Sequence, residues 1–115
     1  MKKMYVCLLL FCISTTCVAE YSNWATPTRI SLVLDKGLSV QGEFANPGAC
    51  ESSDIVFIDR DHPQYEQIYS MVLASFASGN EIGFEVRKCV TIGWISNKSI
   101  GVLDATSPGE IRNQK

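Results

Sequence analysis

The sequence predicts a small, mainly β domain with one α-helix, placed after an export signal. Two neighbouring runs, Thr28–Leu34 and Leu38–Phe44, alternate apolar and polar residues as half-buried strands do. A later stretch, Pro63–Ser78, has the spacing of an amphipathic helix, and the alternation returns after it. About 96 residues follow the signal, which is enough for one domain.

Residues 1–19 have the three parts of a secretory signal. Lys2 and Lys3 supply positive charge, and Met4–Ile13 is apolar but shorter than the about 20 residues of a membrane-spanning helix. Small residues then lead to a cleavage site after Ala19. We therefore expect a secreted or periplasmic protein with no membrane span, its single domain covering residues 20–115.

The cysteines predict one disulfide. Cys7, Cys12 and Cys17 lie inside the signal. A lipoprotein signal acylated at Cys12 or Cys17 is the alternative to simple cleavage, although neither cysteine follows the small residues that such processing prefers. Cleavage leaves Cys50 and Cys89, and two cysteines in an exported domain are expected to pair. A catalytic thiol would need a positioned base, and a zinc site would need more Cys and His ligands.

The first half of the domain is predicted to be three strands. Thr28–Leu34 and Leu38–Phe44 are joined by Asp35-Lys36-Gly37, whose residue types favour a turn, so we expect a β-hairpin. After the loop that contains Cys50, the largely apolar run Asp54–Asp59 predicts a strand buried on both faces.

The predicted helix has start and stop signals. Asp61 is a suitable N-cap, Pro63 is allowed in the first turn, and Gln64 has the capping-box spacing. Gly79 then supplies the C-terminal stop. We expect one helix of about four turns over Pro63–Ser78.

The second half is predicted to return to strands. Ile82–Val86 alternates and runs into Cys89, Thr91–Ile95 is a fifth β-prone run, and Ile100–Leu103 is a short last strand. From about residue 104 we expect a flexible C-terminal tail. The order β-β-β-α-β-β is that of a five-stranded OB-fold barrel, which is a binding fold.

Composition argues against several function classes. Without the signal, 8 of the 10 basic residues remain against 12 acidic ones, a formal charge of −4, which disfavours nucleic acid as a partner. The one histidine, His62, has no evident nucleophile to serve and is read as a first-turn residue rather than a proton switch. Asp54, Asp59 and Asp61 lack calcium-loop spacing. We expect no metal, no cofactor and no enzymatic activity.

Three residues are candidates for ligand binding. Trp24 and Trp94 could stack on the apolar face of a sugar, although either could instead pack against the barrel. Asn97 lies in a polar turn after Trp94 and could add hydrogen-bond donors, or be solvated. The helix suggests a partner as well. Beside the stripe expected to pack on the barrel, its second face is unusually apolar, which favours an oligomer interface formed by Met71, Ala74 and Ser75.

The chain also resembles a known family over about residues 24–103. The resemblance rests on the hairpin, the loop "NPGAC" that ends at Cys50, and the helix pattern Tyr-x-x-x-Tyr-x-x-x-Leu-Ala-x-Phe-Ala from Tyr65 to Ala77, which leads to a strand ending at Cys89. These features resemble small secreted bacterial proteins similar to the B subunits of subtilase-cytotoxin-type toxins. The resemblance implies an OB-fold domain, a Cys50–Cys89 bridge and, for the toxin members, a homopentamer that binds host glycans.

The resemblance leaves two functions to separate. The first is an exported, toxin-B-like binding subunit that recognises a glycan or glycoconjugate as a symmetric homo-oligomer. The alternative is a free-standing periplasmic or secreted protein-interaction module, such as an inhibitor or accessory factor, because many relatives are free-standing exported proteins of unknown role. No sugar-contacting residue of the toxins matches this sequence position by position, so none is carried over.

Overall fold

The computed structural model describes residues 20–45 and 47–114 of the chain. The predicted signal and its cleavage site after Ala19 lie outside the described residues. In the described part the protein is mainly β with a single α-helix. In chain order the elements are β1 (Glu20–Tyr21), β2 (Arg29–Val33), β3 (Gly37–Gln41), a 3-10 turn (Pro47–Ala49), β4 (Ile55–Asp59), α1 (Tyr65–Ser78), β5 (Glu81–Val86), β6 (Cys89–Thr91), β7 (Ser99–Leu103) and β8 (Glu110–Gln114).

The strands form two sheets rather than the closed five-stranded barrel that the sequence predicted. One sheet has the order β1-β5-β8 and the other β2-β3-β4-β7-β6. All the pairings are antiparallel except β4–β7, which is parallel. Arg87 and Lys88 are not part of a strand and separate β5 from β6. As a result, β5 pairs with β1 and β8, while β6 pairs with β7. An isolated bridge between Ala25 and Ile82 links the segment before β2 to β5.

The predicted hairpin and buried strand are confirmed. In the β2–β3 register, Leu32 lies opposite Leu38 and Val33 opposite Gly37. A side chain at Gly37 would collide with the backbone carbonyl oxygen of Ile58, so this close approach of β3 to β4 requires glycine. The first four residues of β4 are buried, as its apolar run predicts.

Two apolar clusters lie on opposite faces of β4. The larger contains Phe44 and Phe84, which meet edge to face with ring centroids 5.2 Å apart, and the buried helix residues Ile68 and Val72. Such an aromatic pair contributes about 0.5–1.5 kcal/mol beyond the area that it buries. The smaller cluster is formed by Ile55, Phe57, Ile100 and Val102.

Helix α1 ends as predicted but begins differently. Gly79 adopts a left-handed conformation (φ 78°) and donates its N–H to Ser75 O at 2.9 Å. At the other end the predicted Asp61 cap is wrong, because the helix begins at Tyr65 and no side-chain cap comes from the preceding residue, Gln64. Asp61 instead accepts the N–H of Ala105 at 3.3 Å.

His62 fixes the approach to the helix. Its ring Nδ1 accepts the backbone N–H of Gln64 at 3.0 Å, so the ring proton lies on Nε2 and is donated to Pro108 O at 2.9 Å. The imidazole is buried and joins the start of α1 to the loop between β7 and β8.

Two other sequence predictions differ from the structure. Thr91–Ile95 is not a strand, because β6 stops at Thr91 and the N–H groups of Ile95 and Ser96 turn back to Ile92 O. The segment after Leu103, expected to be a tail, contains β8, which pairs with β5 from Glu81 opposite Gln114 to Glu85 opposite Glu110. β8 was missed because, apart from Ile111, its side chains are polar.

The loop before β8 is tied down by one carboxylate. Asp104 is buried and accepts hydrogen bonds from Lys88 Nζ at 2.6 Å, from both the N–H and the hydroxyl of Thr106, and from the N–H of Ser107. Burial raises the pKa of Asp104, but these donors outweigh it and lower the pKa to about 2 from 3.8.

The predicted disulfide is confirmed. Cys50 and Cys89 are bonded, with Cα atoms 5.6 Å apart. The bond ties the turn after β3 to the start of β6. That turn holds Ala45 and Ala49 at positive φ (56° and 58°), a conformation that costs free energy for residues other than glycine. Cross-linking residues about 40 apart in the chain stabilises a fold by roughly 4 kcal/mol on the chain-entropy estimate.

Replacing both cysteines by alanine is expected to lower the free energy of unfolding by about 2–5 kcal/mol. Urea denaturation of the mature domain, with wild-type protein measured oxidised and reduced, checks this value. Reduced wild type should match the Cys50→Ala/Cys89→Ala variant. A variant as stable as the oxidised protein would show that the bridge does not hold the turn.

Replacing Asp104 by asparagine should lower the free energy of unfolding at pH 7 by about 2 kcal/mol. The lowered pKa means that the ionised carboxylate, with its donors, stabilises the folded state, and asparagine carries no charge. That stabilisation is present above about pH 4 and is lost as the pH falls toward 2. The pH dependence of stability between pH 4 and 2 should therefore be shallower in the variant. Asp35→Asn, at an exposed carboxylate outside this loop, is the control, and equal slopes in the two variants would contradict the assignment.

Candidate functional site

A groove beside Trp24 combines an exposed aromatic ring with polar side chains. It has a volume of about 370 Å³ and lies where the segment before β2 passes β5. Its lining consists of Asn23, Trp24, Ala25, Thr26, Thr28, Glu43 and Glu81.

The backbone around Trp24 is fixed on both sides. Asn23 donates its N–H to Phe44 O at 3.1 Å, so the residue before Trp24 is attached to the end of the hairpin. Ala25, the residue after it, exchanges two hydrogen bonds with Ile82, at 3.0 and 2.8 Å. Because both neighbouring residues are hydrogen-bonded to other segments of the fold, the backbone at Trp24 is held in place. A ligand that stacks on the indole would therefore not have to order this backbone on binding.

The indole of Trp24 lies over Gly83 of β5. An added Cβ at Gly83 would stand 3.5 Å from Cε3 of the indole, which is ordinary van der Waals contact. Trp24 is nevertheless 41% exposed, because the rest of its surface faces solvent. One part of the ring is therefore supported by β5 and another part is available for stacking.

The polar residues of the groove are mainly hydrogen-bond acceptors. The hydroxyls of Thr26 and Thr28 donate to Gly79 O at 3.0 Å and to Gln41 O at 3.3 Å, so each oxygen keeps its lone pairs for another donor. Glu43 is exposed, and half-buried Glu81 accepts from the side-chain amide of Gln114 at 3.4 Å. The groove therefore presents an aromatic surface beside carboxylate and hydroxyl acceptors.

The other two predicted ligand residues lie elsewhere. Trp94 packs edge to face on Phe57, with ring centroids 5.8 Å apart, and is 55% exposed. Asn97 is exposed in the turn between β6 and β7. Neither residue lines the groove beside Trp24, so the structure does not gather the three predicted residues at one site.

The predicted interface residues of α1 have different environments. Met71 is half-buried, and Ala74 is exposed. Ser75 is 1% exposed, so it packs inside the domain and cannot face a partner in this fold. The large apolar side chains exposed on the helix are instead Leu73 and Phe76, at 43% and 44%.

A charged cluster formed by residues of β1 and β8, on the two sides of β5, was not predicted from the sequence. The guanidinium of Arg112 lies 4.7 Å from the ring centre of Tyr21, donates to the Tyr21 hydroxyl at 3.0 Å and pairs with Glu110 at 2.7 Å. The hydrogen bond from Arg112 is the main reason why the pKa of Glu110 is lowered. Tyr21 and Arg112 are 91 residues apart, so only the β1-β5-β8 pairing reveals the cluster.

Comparisons with known proteins give no relative. No protein-family model, no curated protein and no solved structure matches the chain. Among residues 20–45 and 47–114, no helix is long and apolar enough to cross a membrane. The same residues contain no group of three or more His, Cys, Asp or Glu side chains that could hold a metal ion.

Proposed function

We propose that the protein is an exported, toxin-B-like binding subunit that recognises a glycan or glycoconjugate as a symmetric homo-oligomer. The observation that carries the proposal is the Trp24 indole, which is partly exposed and held by a fixed backbone at a groove with polar acceptors. An aromatic face suits the apolar face of a pyranose, and a small number of convergent polar groups then fix the orientation of the sugar.

The polar groups of the groove suit the hydroxyl groups of a sugar. Sugar hydroxyls are donors as well as acceptors, and Glu43, Glu81 and the two threonine oxygens offer acceptors beside the ring. A groove of about 370 Å³ is large enough for one or two sugar rings rather than a long chain. A terminal sugar of a glycoconjugate is therefore the ligand that fits this proposal.

We extend the proposal to the fold and to export. The OB-fold assignment is supported by the helix between β4 and β5, by the parallel β4–β7 pair and by the Ala25–Ile82 bridge between the segment before β2 and β5. Export is supported by the disulfide, which is compatible with an extracytoplasmic protein. Residues 1–19 then act as the signal, with cleavage after Ala19, and the mature domain is secreted or periplasmic.

A protein-interaction module remains the second candidate. It is supported by Leu73 and Phe76, which expose apolar surface on α1 without lining the groove. In this alternative a protein partner covers the helix, and Trp24 has no special part in binding. The two functions therefore predict different effects of changes at Trp24 and at Phe76.

The test is a glycan array probed with the mature, oxidised domain and two matched variants. Trp24→Ala should weaken binding at least about tenfold, which corresponds to about 1.4 kcal/mol, because it removes the stacking surface. Trp94→Ala is the control, since that indole is also exposed but packs on Phe57 outside the groove. Thermal melting of both variants checks that they remain folded.

Each outcome separates the candidates. Binding that survives Trp24→Ala but is lost in Trp94→Ala would contradict the groove and place the site on the other sheet. An array with no bound glycan would contradict the first function. Capture of a protein partner that Phe76→Ser abolishes and Trp24→Ala does not would then support the interaction module.

A further inference from the structure

The groove beside Trp24 carries negative charge that no basic side chain of its lining neutralises. The lining contains two carboxylates, Glu43 and Glu81, and no lysine or arginine. Among the described residues, no ion pair involves either carboxylate. Arg29 follows the lining residue Thr28 in the chain but does not itself line the groove. A ligand that enters the groove therefore meets two negative charges without a cationic partner.

The fold places these carboxylates on the two segments that hold the Trp24 backbone. Glu43 is next in the chain to Phe44, and Glu81 is next to Ile82. The carbonyl groups of Phe44 and Ile82 accept the backbone N–H groups of the residues on either side of Trp24, at 3.1 and 3.0 Å. One carboxylate therefore belongs to each segment that is hydrogen-bonded beside the indole.

Both carboxylates keep capacity for a further donor. Glu43 is exposed, and half-buried Glu81 accepts one hydrogen bond, from the side-chain amide of Gln114 at 3.4 Å. An ionised carboxylate has about four lone-pair sites, so this single bond leaves acceptor positions on Glu81. Because water and salt screen a half-buried charge less than an exposed one, Glu81 should attract a cation more strongly than Glu43 does.

The charge of the groove discriminates between ligands by the sign of their charge. A ligand carboxylate, sulfate or phosphate is repelled by the two glutamates, whereas a ligand cation gains an attractive interaction with them. The ring of Trp24 favours the same sign, because the face of an indole attracts cations. The aromatic ring and the carboxylates thus select together for a positively charged ligand.

We propose that the groove binds an amino sugar with a free, protonated amine, and selects it over the neutral N-acetylated sugar and over acidic sugars. The inference rests on the proposed function, because it names the class of sugar that the Trp24 groove takes. The apolar face of the pyranose stacks on the indole, and the ammonium group donates hydrogen bonds to Glu43 and Glu81. N-acetylation leaves the ring unchanged but removes the charge, so it removes the attraction to the carboxylates.

A matched set of ligands isolates the effect of charge. The probes are the β-1,4-linked disaccharide of glucosamine, its fully N-acetylated form and a disaccharide that ends in glucuronic acid. Each is titrated calorimetrically into the mature, oxidised domain just below neutral pH, where the amines are protonated. Wild-type protein should bind the amine at least about fivefold more tightly than the N-acetylated form, and the acidic disaccharide most weakly. Added salt should weaken binding of the amine and leave the neutral sugar unchanged.

Isosteric variants of the two glutamates test where this preference comes from. Glu43→Gln and Glu81→Gln should each weaken binding of the amine about two- to fivefold and leave binding of the N-acetylated sugar within about twofold. The double variant should bind the two sugars equally. Glu51→Gln is the matched control, because Glu51 is exposed outside the groove and its replacement removes the same charge from the domain. Thermal melting checks the fold, and if Glu81→Gln does not fold, the exposed position Glu43 carries the test.

The outcomes separate failure of the charge selection from failure of glycan recognition. Equal binding of the amine and its N-acetylated form by the wild type overturns the charge selection, as does an equal loss in Glu51→Gln. In either case glycan recognition stands if Trp24→Ala weakens binding. Amine binding that the glutamine variants reduce but Trp24→Ala leaves unchanged also overturns the inference, because the cation is then bound without stacking of the sugar. If no disaccharide binds and the glycan array is empty, both the inference and the proposed function are contradicted.

Discussion

Strand β5 is the constraint on which the rest of the structure depends. It is hydrogen-bonded along both edges, to β1 and the Ala25 bridge on one side and to β8 on the other. Its side chains are almost wholly buried. Gly83 supports the Trp24 indole, Phe84 packs on Phe44, and Val86 packs under Gly48 of the turn that leads to the disulfide. One strand therefore joins the candidate site, the core and the cross-linked loop.

The cross-link explains why the turn after β3 can hold unfavourable conformations. Ala45 and Ala49 have positive φ values, and a side chain at Gly48 would collide with Val86. Left-handed residues persist only where the surrounding structure fixes them. The Cys50–Cys89 bond supplies that restraint at one end, and the packing of Gly48 on β5 supplies it at the other. Cys50 thus has a structural reason to follow a Pro-Gly turn.

Hydrophobic periodicity predicted the strands and the helix that bury an apolar face. It missed β8, which is held in place mainly by backbone pairing. The hairpin, β4, the helix stop at Gly79 and β5 all follow from alternation, apolar runs or glycine. β8 has mostly polar side chains, and its place depends on backbone bonds to a strand far away in the chain. Ser75 reads as a surface residue by type, but the helix turns it inward to 1% exposure. The sequence predicts an ordinary first-turn role for His62, because nothing in it indicates the hydrogen bond to Pro108.

The candidate site was predictable only in its aromatic part. Trp24 stands out in the sequence as a tryptophan before the first predicted strand, and the structure gives it an exposed face. Glu43 and Glu81 come from opposite halves of the chain and form no motif, so only the fold brings them to the same groove. Trp94 and Asn97 are also exposed but belong to a different surface.

We propose that the protein binds its ligand on the surface around Trp24. This is tested by titrating the isotope-labelled mature domain with the oligosaccharides that bind best and following the chemical shifts of the backbone amides and of the tryptophan indole N–H groups. With the ligand in this groove, the largest shifts should fall on residues 22–26, on Gly83 and on the Trp24 indole N–H. Shifts confined to the turn around Trp94, or to the exposed face of α1, would contradict it.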